Sequence, residues 1–491
     1  MSIELKKNAL PLYIGGKHCA AISGKSFRNE NPATGRKISD VEQAGRRDVE
    51  KAVTAARKGF HVWSVMTGAE RGRILTKTAH ILRERRSELA KIEVKDTGKP
   101  ITEALETDID SAADTFEFFG GLAADIKGDH HDLGSEAFAY TRREPLGICA
   151  GIGAWNYPIQ IVSWKTAPAL AAGNAMIFKP SELTPTTAVK LGEILSEAGL
   201  PDGVFNVVHG FGETGSLLAS HPDVDKVSFT GSVPTGRKVL TDAAATVKYV
   251  TMELGGKSPL IIFDDSDLDN AVSAAMNANF YTQGEVCSNG TRVYVHEDLM
   301  DDFVAQLKKR TEKMVIGDPM NKKTHVGALI NEGHMEKVLE YVRLGIEEGA
   351  YLVSGGEKVD VKGCEKGSFM SPAIFTACQD DMRICREEIF GPVMSIMSFR
   401  EEDEAVARAN DTHFGLAAGV FTRDLARAHR VVANLRAGTC WINNFNLTPM
   451  GVPFGGYKQS GIGRENASIA LEHFTQVKSV YVELGDVACN Y

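Results

Sequence analysis

A cysteine framed by glycines is the first residue with a claim on chemistry. In Phe280-Tyr281-Thr282-Gln283-Gly284-Glu285-Val286-Cys287-Ser288-Asn289-Gly290 the thiol sits in a segment that reads as a loop at a helix end, which would hold it exposed. Thiolate is the nucleophile, so nearby dipoles or cations must lower its pKa for work at neutral pH. Most cysteines are inert, and the glycine framing lifts this one above the other seven. A second candidate is the glutamate of Met252-Glu253-Leu254-Gly255-Gly256-Lys257-Ser258-Pro259. A carboxylate at an apolar strand end is costly unless paired or protonated, and burial raises its pKa toward that of a general base. Read alone, that segment is explained better by a helix cap or a salt-bridged structural carboxylate.

Three loops suit a phosphate-bearing ligand. Gly210-Phe211-Gly212-Glu213-Thr214-Gly215 lies between a strand and a helix, as a dinucleotide fingerprint requires. Phe229-Thr230-Gly231-Ser232, with Gly236 entering a helix, offers free N–H groups to an anion. Only one of the two can hold a pyrophosphate. Lys179-Pro180-Ser181-Glu182 sets a cation beside a carboxylate, suited to ribose hydroxyls. Each alone is explained by tight turning; three in one sheet point to a nucleotide. Asp264, Asp265, Asp267 and Asp269 lack the glycine and glutamate of a calcium loop and read as helix caps. His130 and His131 read as a polar loop.

The elements that must position these groups follow from periodicity. Val49, Val53, Ala56 and Phe60 fall at helical spacing, and Leu75, Leu82 and Leu89 form a second stripe, after a hairpin-like opening. From Leu146 onward, apolar runs at 147–150, 175–178, 204–208, 226–229 and 247–251 alternate with helical stretches such as 184–198. That alternation predicts an α/β fold with a parallel, doubly wound sheet, whose ligands sit at the carboxyl ends of the strands. A second α/β region follows over 258–445, opening with the strand 260–263. Segments 138–142 and 477–482 alternate like exposed strands, suited to pairing with each other across subunits.

Composition narrows the function classes. The chain has 491 residues, 43% of them apolar, and 55 basic against 64 acidic side chains give a net charge of −9. With no long basic run, nucleic acid and an anionic membrane surface are poor partners. Pro145–Trp164 carries no charge, but its glycines, prolines, Asn156 and Gln160 make a poor membrane span. Lys6 and Lys7 lead into no apolar run, so no secretory signal is expected. The eight cysteines form no C-x-x-C pair, which argues against zinc and for free thiols in a reducing cytoplasm.

Together these motifs resemble the NAD(P)-dependent aldehyde dehydrogenases over nearly the whole chain. The likeness rests on the segments around Glu253 and Cys287 and on Asn31-Pro32-Ala33-Thr34-Gly35, Trp155-Asn156-Tyr157-Pro158, Lys179-Pro180-Ser181-Glu182, Glu387-Glu388-Ile389-Phe390-Gly391-Pro392 and Gly455-Gly456-Tyr457-Lys458-Gln459-Ser460-Gly461. It implies a cofactor-binding domain over 1–122 and 146–256, a catalytic domain over 257–460, and a small β oligomerisation element over 123–145 and 472–491. It also implies Cys287 as nucleophile, the Asn156 amide and Cys287 N–H as oxyanion donors, and Glu253 as the base that activates water. Implied cofactor contacts are Gly153, Ala154, Trp155, Lys179, Pro180, Ser181, Glu182, Gly212, Gly231, Ser232, Thr235, Leu254, Glu388 and Phe390. In this family the pyrophosphate lies at the Phe229–Gly236 loop, which leaves Gly210–Gly215 a supporting role. Glu182 would repel a 2′-phosphate, which favours NAD over NADP.

Within the family the chain looks most like the subfamily acting on betaine aldehyde, where Lys165 and Glu465 are proposed to relay charge. The likeness then implies a substrate tunnel lined by Tyr157, Trp164, Tyr281 and Phe454; a quaternary ammonium is best held by such aromatic faces. It implies a homotetramer or homodimer, and K+ at Asn29, Asp96 and Leu183. The alternatives are a broad-specificity enzyme for neutral aldehydes and a catalytically retired structural relative. Asn443-Asn444-Phe445-Asn446 has no assigned part.

Overall fold

A computed structural model describes residues 9–489 and residue 491; Lys6 and Lys7 lie outside the described residues. Its first sheet has eight strands. Ile148–Ile152 sits near the middle, with Ala175–Lys179 and Phe205–Val207 on one side and Lys226–Thr230 and Tyr249–Glu253 on the other, all parallel. Fully buried apolar runs of this kind are what a sheet covered on both faces demands. The order reverses beside Ile148–Ile152, so the loops leaving that strand and Lys226–Thr230 open onto one crevice. Those loops carry Gly153–Tyr157 and Gly231–Ser232. The hairpin Leu12–Ile14/Lys17–Cys19 closes one edge, and Gly461–Ile462 pairs antiparallel with Tyr249–Glu253 at the other.

Helices Arg46–Trp63, Gly68–Glu84 and Arg86–Thr97 precede this sheet. The leucine stripe is divided between the last two at Arg85, which caps one helix and opens the next. A reciprocal cap between Thr67 and Glu70 starts the second of the three.

The second sheet has seven strands, with Pro259–Ile262 between Arg292–His296 and Ala417–Phe421. All are parallel except the edge strand Tyr351–Ser354. Asp267 caps the helix Leu268–Phe280 through Asn270 N at 3.0 Å, and Asp265 accepts from Thr422 Oγ1 at 2.7 Å, so these aspartates tie helix to strand.

Two expectations change. Ala137–Pro145 and Thr475–Glu483 do pair, antiparallel and in continuous register, but inside one chain rather than across subunits. Their long sequence separation is bridged because the chain returns to this edge after the second sheet. His130 and His131 form an exposed strand, His130–Asp132, on the far side of Ala137–Pro145, rather than a loop.

Candidate active site

Helix Leu268–Phe280 delivers the cysteine. It ends in a turn, Tyr281–Gly284, where Thr282 and Gln283 take left-handed backbone angles (φ 49° and 51°). A β-branched residue there is strained and needs outside support. The chain then reaches Cys287, which opens onto a cavity shared with Asn156, Glu253, Glu465, Tyr157, Trp164, Tyr281 and Phe454. The proposed nucleophile, base, oxyanion donor and all four tunnel aromatics therefore meet in one space.

Asn156 Nδ2 donates to Glu285 O at 2.9 Å, which fixes the amide and leaves its second hydrogen unassigned. Glu253 ends the strand Tyr249–Glu253, and its Oε2 is buried without a hydrogen-bond partner. Burial first, then the charge of Glu465, hold its carboxyl well above the ordinary range; Lys165 and Arg464 oppose this. Gly455 must be glycine here, because a Cβ would lie 2.8 Å from Glu253 Oε1 and φ is +154°. Lys165, on helix Pro158–Ala171, pairs with Glu465 at 2.7 Å and donates to Ser228 Oγ at 3.1 Å.

Cys287 is partly exposed, and its surroundings in the folded chain raise rather than lower the thiol pKa. Burial pushes Cys287 up to about 12, Glu253 and Glu388 add to that, and the backbone N–H groups of Cys287 and Ser288 counter it. Among the described residues that line the cavity none is a Lys or Arg.

The hydroxyls of two tunnel aromatics are already engaged, Tyr157 with Thr282 Oγ1 at 2.8 Å and Tyr281 with Thr107 Oγ1 at 2.6 Å. Trp164 and Phe454 meet edge to face at 5.7 Å. Thr107, Gln160, Val286, Ser288, Asn446 and Thr448 also line the cavity and were not singled out from sequence. Asn446 had a signal. It stands in a left-handed turn (φ 63°), as does Asn443, conformations that asparagine tolerates, and it accepts from Ser288 Oγ at 2.8 Å.

The cofactor candidates follow the crevice. Ser232 caps helix Val233–Ala244, accepting from Thr235 N at 3.4 Å, and leaves further N–H groups at that N-terminus. Leu254 N donates to Ser460 O, and a Cβ on Gly236 would strike Leu254. A Cβ on Gly153 would lie 2.7 Å from Phe178, and Gly231 is similarly closed in by Phe229. Lys179 Nζ donates to Pro180 O at 2.9 Å and lies 3.7 Å from Glu182 Oε2, with Ser181 between them in sequence. Glu388 Oε1 accepts from Gly256 N at 3.0 Å, and burial pushes its carboxyl up to about 7. Phe390 (φ 62°) stands edge to face with Trp155, next to Ala154 in the chain, at 5.1 Å. Gly212 opens helix Gly212–Ala219 with free space where a Cβ would be.

Away from the cavity, Asp96 accepts from Asn29 Nδ2 and Thr186 N, each at 2.9 Å, while Asn29 Oδ1 is buried and unpartnered. Leu183 N donates to Ser181 Oγ. Among the described residues no group of three or more His, Cys, Asp or Glu side chains is arranged to hold a metal ion, and no helix is long and apolar enough to cross a membrane.

Known proteins give the same reading. The chain is 59% identical over 473 residues to betaine aldehyde dehydrogenase of Vibrio vulnificus, covering 96% of this chain and 97% of that one. An NAD+ complex of aldehyde dehydrogenase from Bacillus cereus superposes with a TM-score of 0.95 at 41% identity, over 99% of this chain and 100% of that one. Betaine aldehyde dehydrogenase from Staphylococcus aureus, in complex with NAD+, gives 0.96 at 37% identity, over 99% and 97%. Residues 19–480 match the aldehyde dehydrogenase family, and the chain belongs to it.

Proposed function

We propose that this enzyme oxidises betaine aldehyde, or a related trimethylammonium or ω-amino aldehyde, to its carboxylate with NAD. The observation that carries this is the single cavity in which Cys287, Asn156 and Glu253 face an aromatic wall of Tyr157, Trp164, Tyr281 and Phe454. The names of the Vibrio and Staphylococcus relatives support the substrate class. So does the groove at the cavity's mouth, which shares Thr107 and Tyr281 with it and carries Glu106, Asp110 and Asp114. Asp110 and Asp114 pair with Arg86 and Arg83, which leaves Glu106 as the acidic group there outside those pairs.

Cys287 Sγ attacks the aldehyde carbon as thiolate, its proton leaving toward Glu253 or water. Burial raises the thiol pKa, so that ionisation depends on a proton acceptor close to the sulfur. The oxyanion is taken by the free Asn156 Nδ2 hydrogen and the Cys287 N–H, donors fixed before charge develops. The hydride acceptor needed to turn the thiohemiacetal on Cys287 into a thioester is the chemistry that NAD supplies when bound. Ser232 and its helix N-terminus would hold the pyrophosphate, Lys179 and Glu182 the adenosine ribose, and Glu388 the nicotinamide ribose. A proton taken from Cys287 leaves Glu253 through Glu465 and Lys165 before hydrolysis. Glu253 then takes a proton from water as the water oxygen attacks the thioester carbon. The C–S bond breaks, Cys287 departs as thiolate, and the product leaves as carboxylate with its remaining proton lost to solvent.

The remaining assignments belong to the same reading. The cofactor domain spans 1–122 and 146–256, the catalytic domain 257–460, and the oligomerisation element 123–145 and 472–491. The unpaired edge of Thr475–Glu483, with exposed Val477 and Tyr481, supports a homodimer or homotetramer. Unpartnered Asn29 Oδ1 fits K+, an ion that takes oxygen ligands, with Asp96 hydrogen-bonded to the same amide and Leu183 as the third group that the resemblance implies. Eight free thiols suit the cytoplasm.

The test is reduced-nicotinamide formation from betaine aldehyde and from hexanal. A kcat/KM at least ~100-fold higher for betaine aldehyde, about 2.7 kcal/mol of discrimination, is expected. Equal or better turnover of hexanal would replace the cationic substrate by neutral aldehydes.

A further inference from the structure

Four charged side chains, Glu93, Lys99, Glu103 and Asp108, are buried close to the aromatic wall, and none of them lines the cavity that holds Cys287. Lys99 Nζ lies 2.6 Å from Asp108 Oδ2 and 3.8 Å from the centre of the Tyr157 ring. Asp108 stands on Ala104–Ile109, a π-helical run of the kind that interrupts helices at functional places.

The two glutamates reach the two halves of the active site. Glu93 Oε1 accepts from Ile159 N at 3.0 Å, in the first turn of the helix that follows Asn156 and Tyr157. Glu103 Oε2 accepts from both N and Oγ1 of Thr282, each at 3.0 Å. Thr282 is the strained residue in the turn leading to Cys287, and it has no glycine's freedom to hold φ 49° by itself. Two direct bonds close the circuit between the halves: Tyr157 OH to Thr282 Oγ1, and Asn156 Nδ2 to Glu285 O.

We propose that Glu103 and Glu93, oriented by Lys99 and Asp108, are positioning residues that set the Asn156 amide against the Cys287 loop. Glu103 holds Thr282 left-handed, and Glu93 holds the backbone that carries Asn156. Release of either moves one oxyanion donor relative to the sulfur, and a displacement of about 1 Å costs on the order of 100-fold in rate. The inference rests on the reading of Cys287 as nucleophile.

The test is Glu103→Gln in the full-length enzyme, with three readouts. The expected result is a kcat lower by about tenfold or more, NAD affinity and the KM for NAD unchanged, and slower alkylation of Cys287 by iodoacetamide, mapped by mass spectrometry. In a Thr282→Gly background, where positive φ costs little, the further loss from Glu103→Gln should shrink to about threefold or less. A kcat within about twofold of the parent, or the same loss in both backgrounds, overturns the proposal. If Glu103→Gln does not fold, Thr282→Val carries the test beside Tyr157→Phe, since it removes the hydroxyl half of the Glu103 contact together with the Tyr157 bond, and Tyr157→Phe removes the Tyr157 bond alone. Thr282→Val should lower kcat and slow alkylation more than Tyr157→Phe does, without changing NAD affinity, and losses no larger than those of Tyr157→Phe overturn the proposal. Cys287→Ala reports separately on the functional reading: turnover retained there would remove Cys287 as nucleophile and this inference with it.

Discussion

Lys165 and Glu465 form an ion pair of 2.7 Å, buried almost wholly from water, in the field of the Glu253 carboxyl. Glu465 makes Glu253 harder to ionise and Lys165 makes it easier, so the pair tunes the proposed base.

Replacing Glu465 by Gln removes the negative charge and leaves Lys165 unopposed. The Glu253 pKa then falls, and the acid limb of the kcat–pH profile moves to lower pH by about 1 unit. Lys165→Met moves the same limb upward. The sign for stability is opposite to that of a paired surface acid. Glu253 is raised on folding, so its contribution is fully present below its unfolded pKa and is lost as pH rises through its folded value. Melting curves of Glu253→Gln should therefore lose less stability than the parent between neutral and alkaline pH.

The Asn156 amide is aimed by one bond, to Glu285 O at 2.9 Å. Asn156→Ala removes an oxyanion donor and should lower kcat by about 10²–10³-fold, or about 2.7–4 kcal/mol. NAD titrated by fluorescence should bind as in the parent. An equal rise in the NAD dissociation constant would assign the residue to cofactor binding instead.

How far the sequence carried depends on what kind of information each feature needs. The parallel strands were readable because burial on both faces makes runs such as Ala175–Lys179 continuously apolar. Cys287 was marked by the glycines that frame it, whereas the Glu253 segment alone read as a cap or a structural carboxylate and its role as base came only from the family resemblance. The cluster Glu93, Lys99, Glu103 and Asp108 was not, since charged residues on helices ordinarily face water and only the fold shows that these do not. Alternation marked Ala137–Pro145 and Thr475–Glu483 as strands, but it carries no information on partner or chain. What raises the thiol pKa was out of reach for a related reason: glycine framing reports local backbone, whereas burial and the charges of Glu253 and Glu388 come from elsewhere in the chain.

Trp164 lines the cavity and meets Phe454 edge to face. A trimethylammonium held over such rings gains about 0.5–2 kcal/mol. Trp164→Ala should raise the KM for betaine aldehyde by roughly 2–30-fold while changing that for hexanal less. Equal effects on both substrates would mean that the ring only fills space.

The unpartnered Asn29 Oδ1 makes the cation testable without turnover. Exchanging tetramethylammonium for K+ should raise the melting temperature of the parent and leave Asn29→Ala unchanged, because a ligand bound only to the native state stabilises it by mass action. The same rise in both proteins would place any K+ effect elsewhere.

The proposed preference for NAD over NADP rests on Glu182, whose carboxylate lies 3.7 Å from the buried Lys179 ammonium. Burial lowers the Lys179 pKa, and Glu182 is what opposes that. Glu182→Gln therefore has two effects at the adenosine ribose. It removes an anion that would repel a 2′-phosphate, and it leaves Lys179 without its counter-charge. A phosphate arriving there supplies the missing negative charge, whereas a ribose hydroxyl loses an acceptor. The kcat/KM for NADP should rise by about tenfold, roughly 1.4 kcal/mol, while that for NAD falls. Steady-state rates with both cofactors at fixed betaine aldehyde decide it. A fall for both would place Glu182 in holding Lys179 rather than in excluding the phosphate.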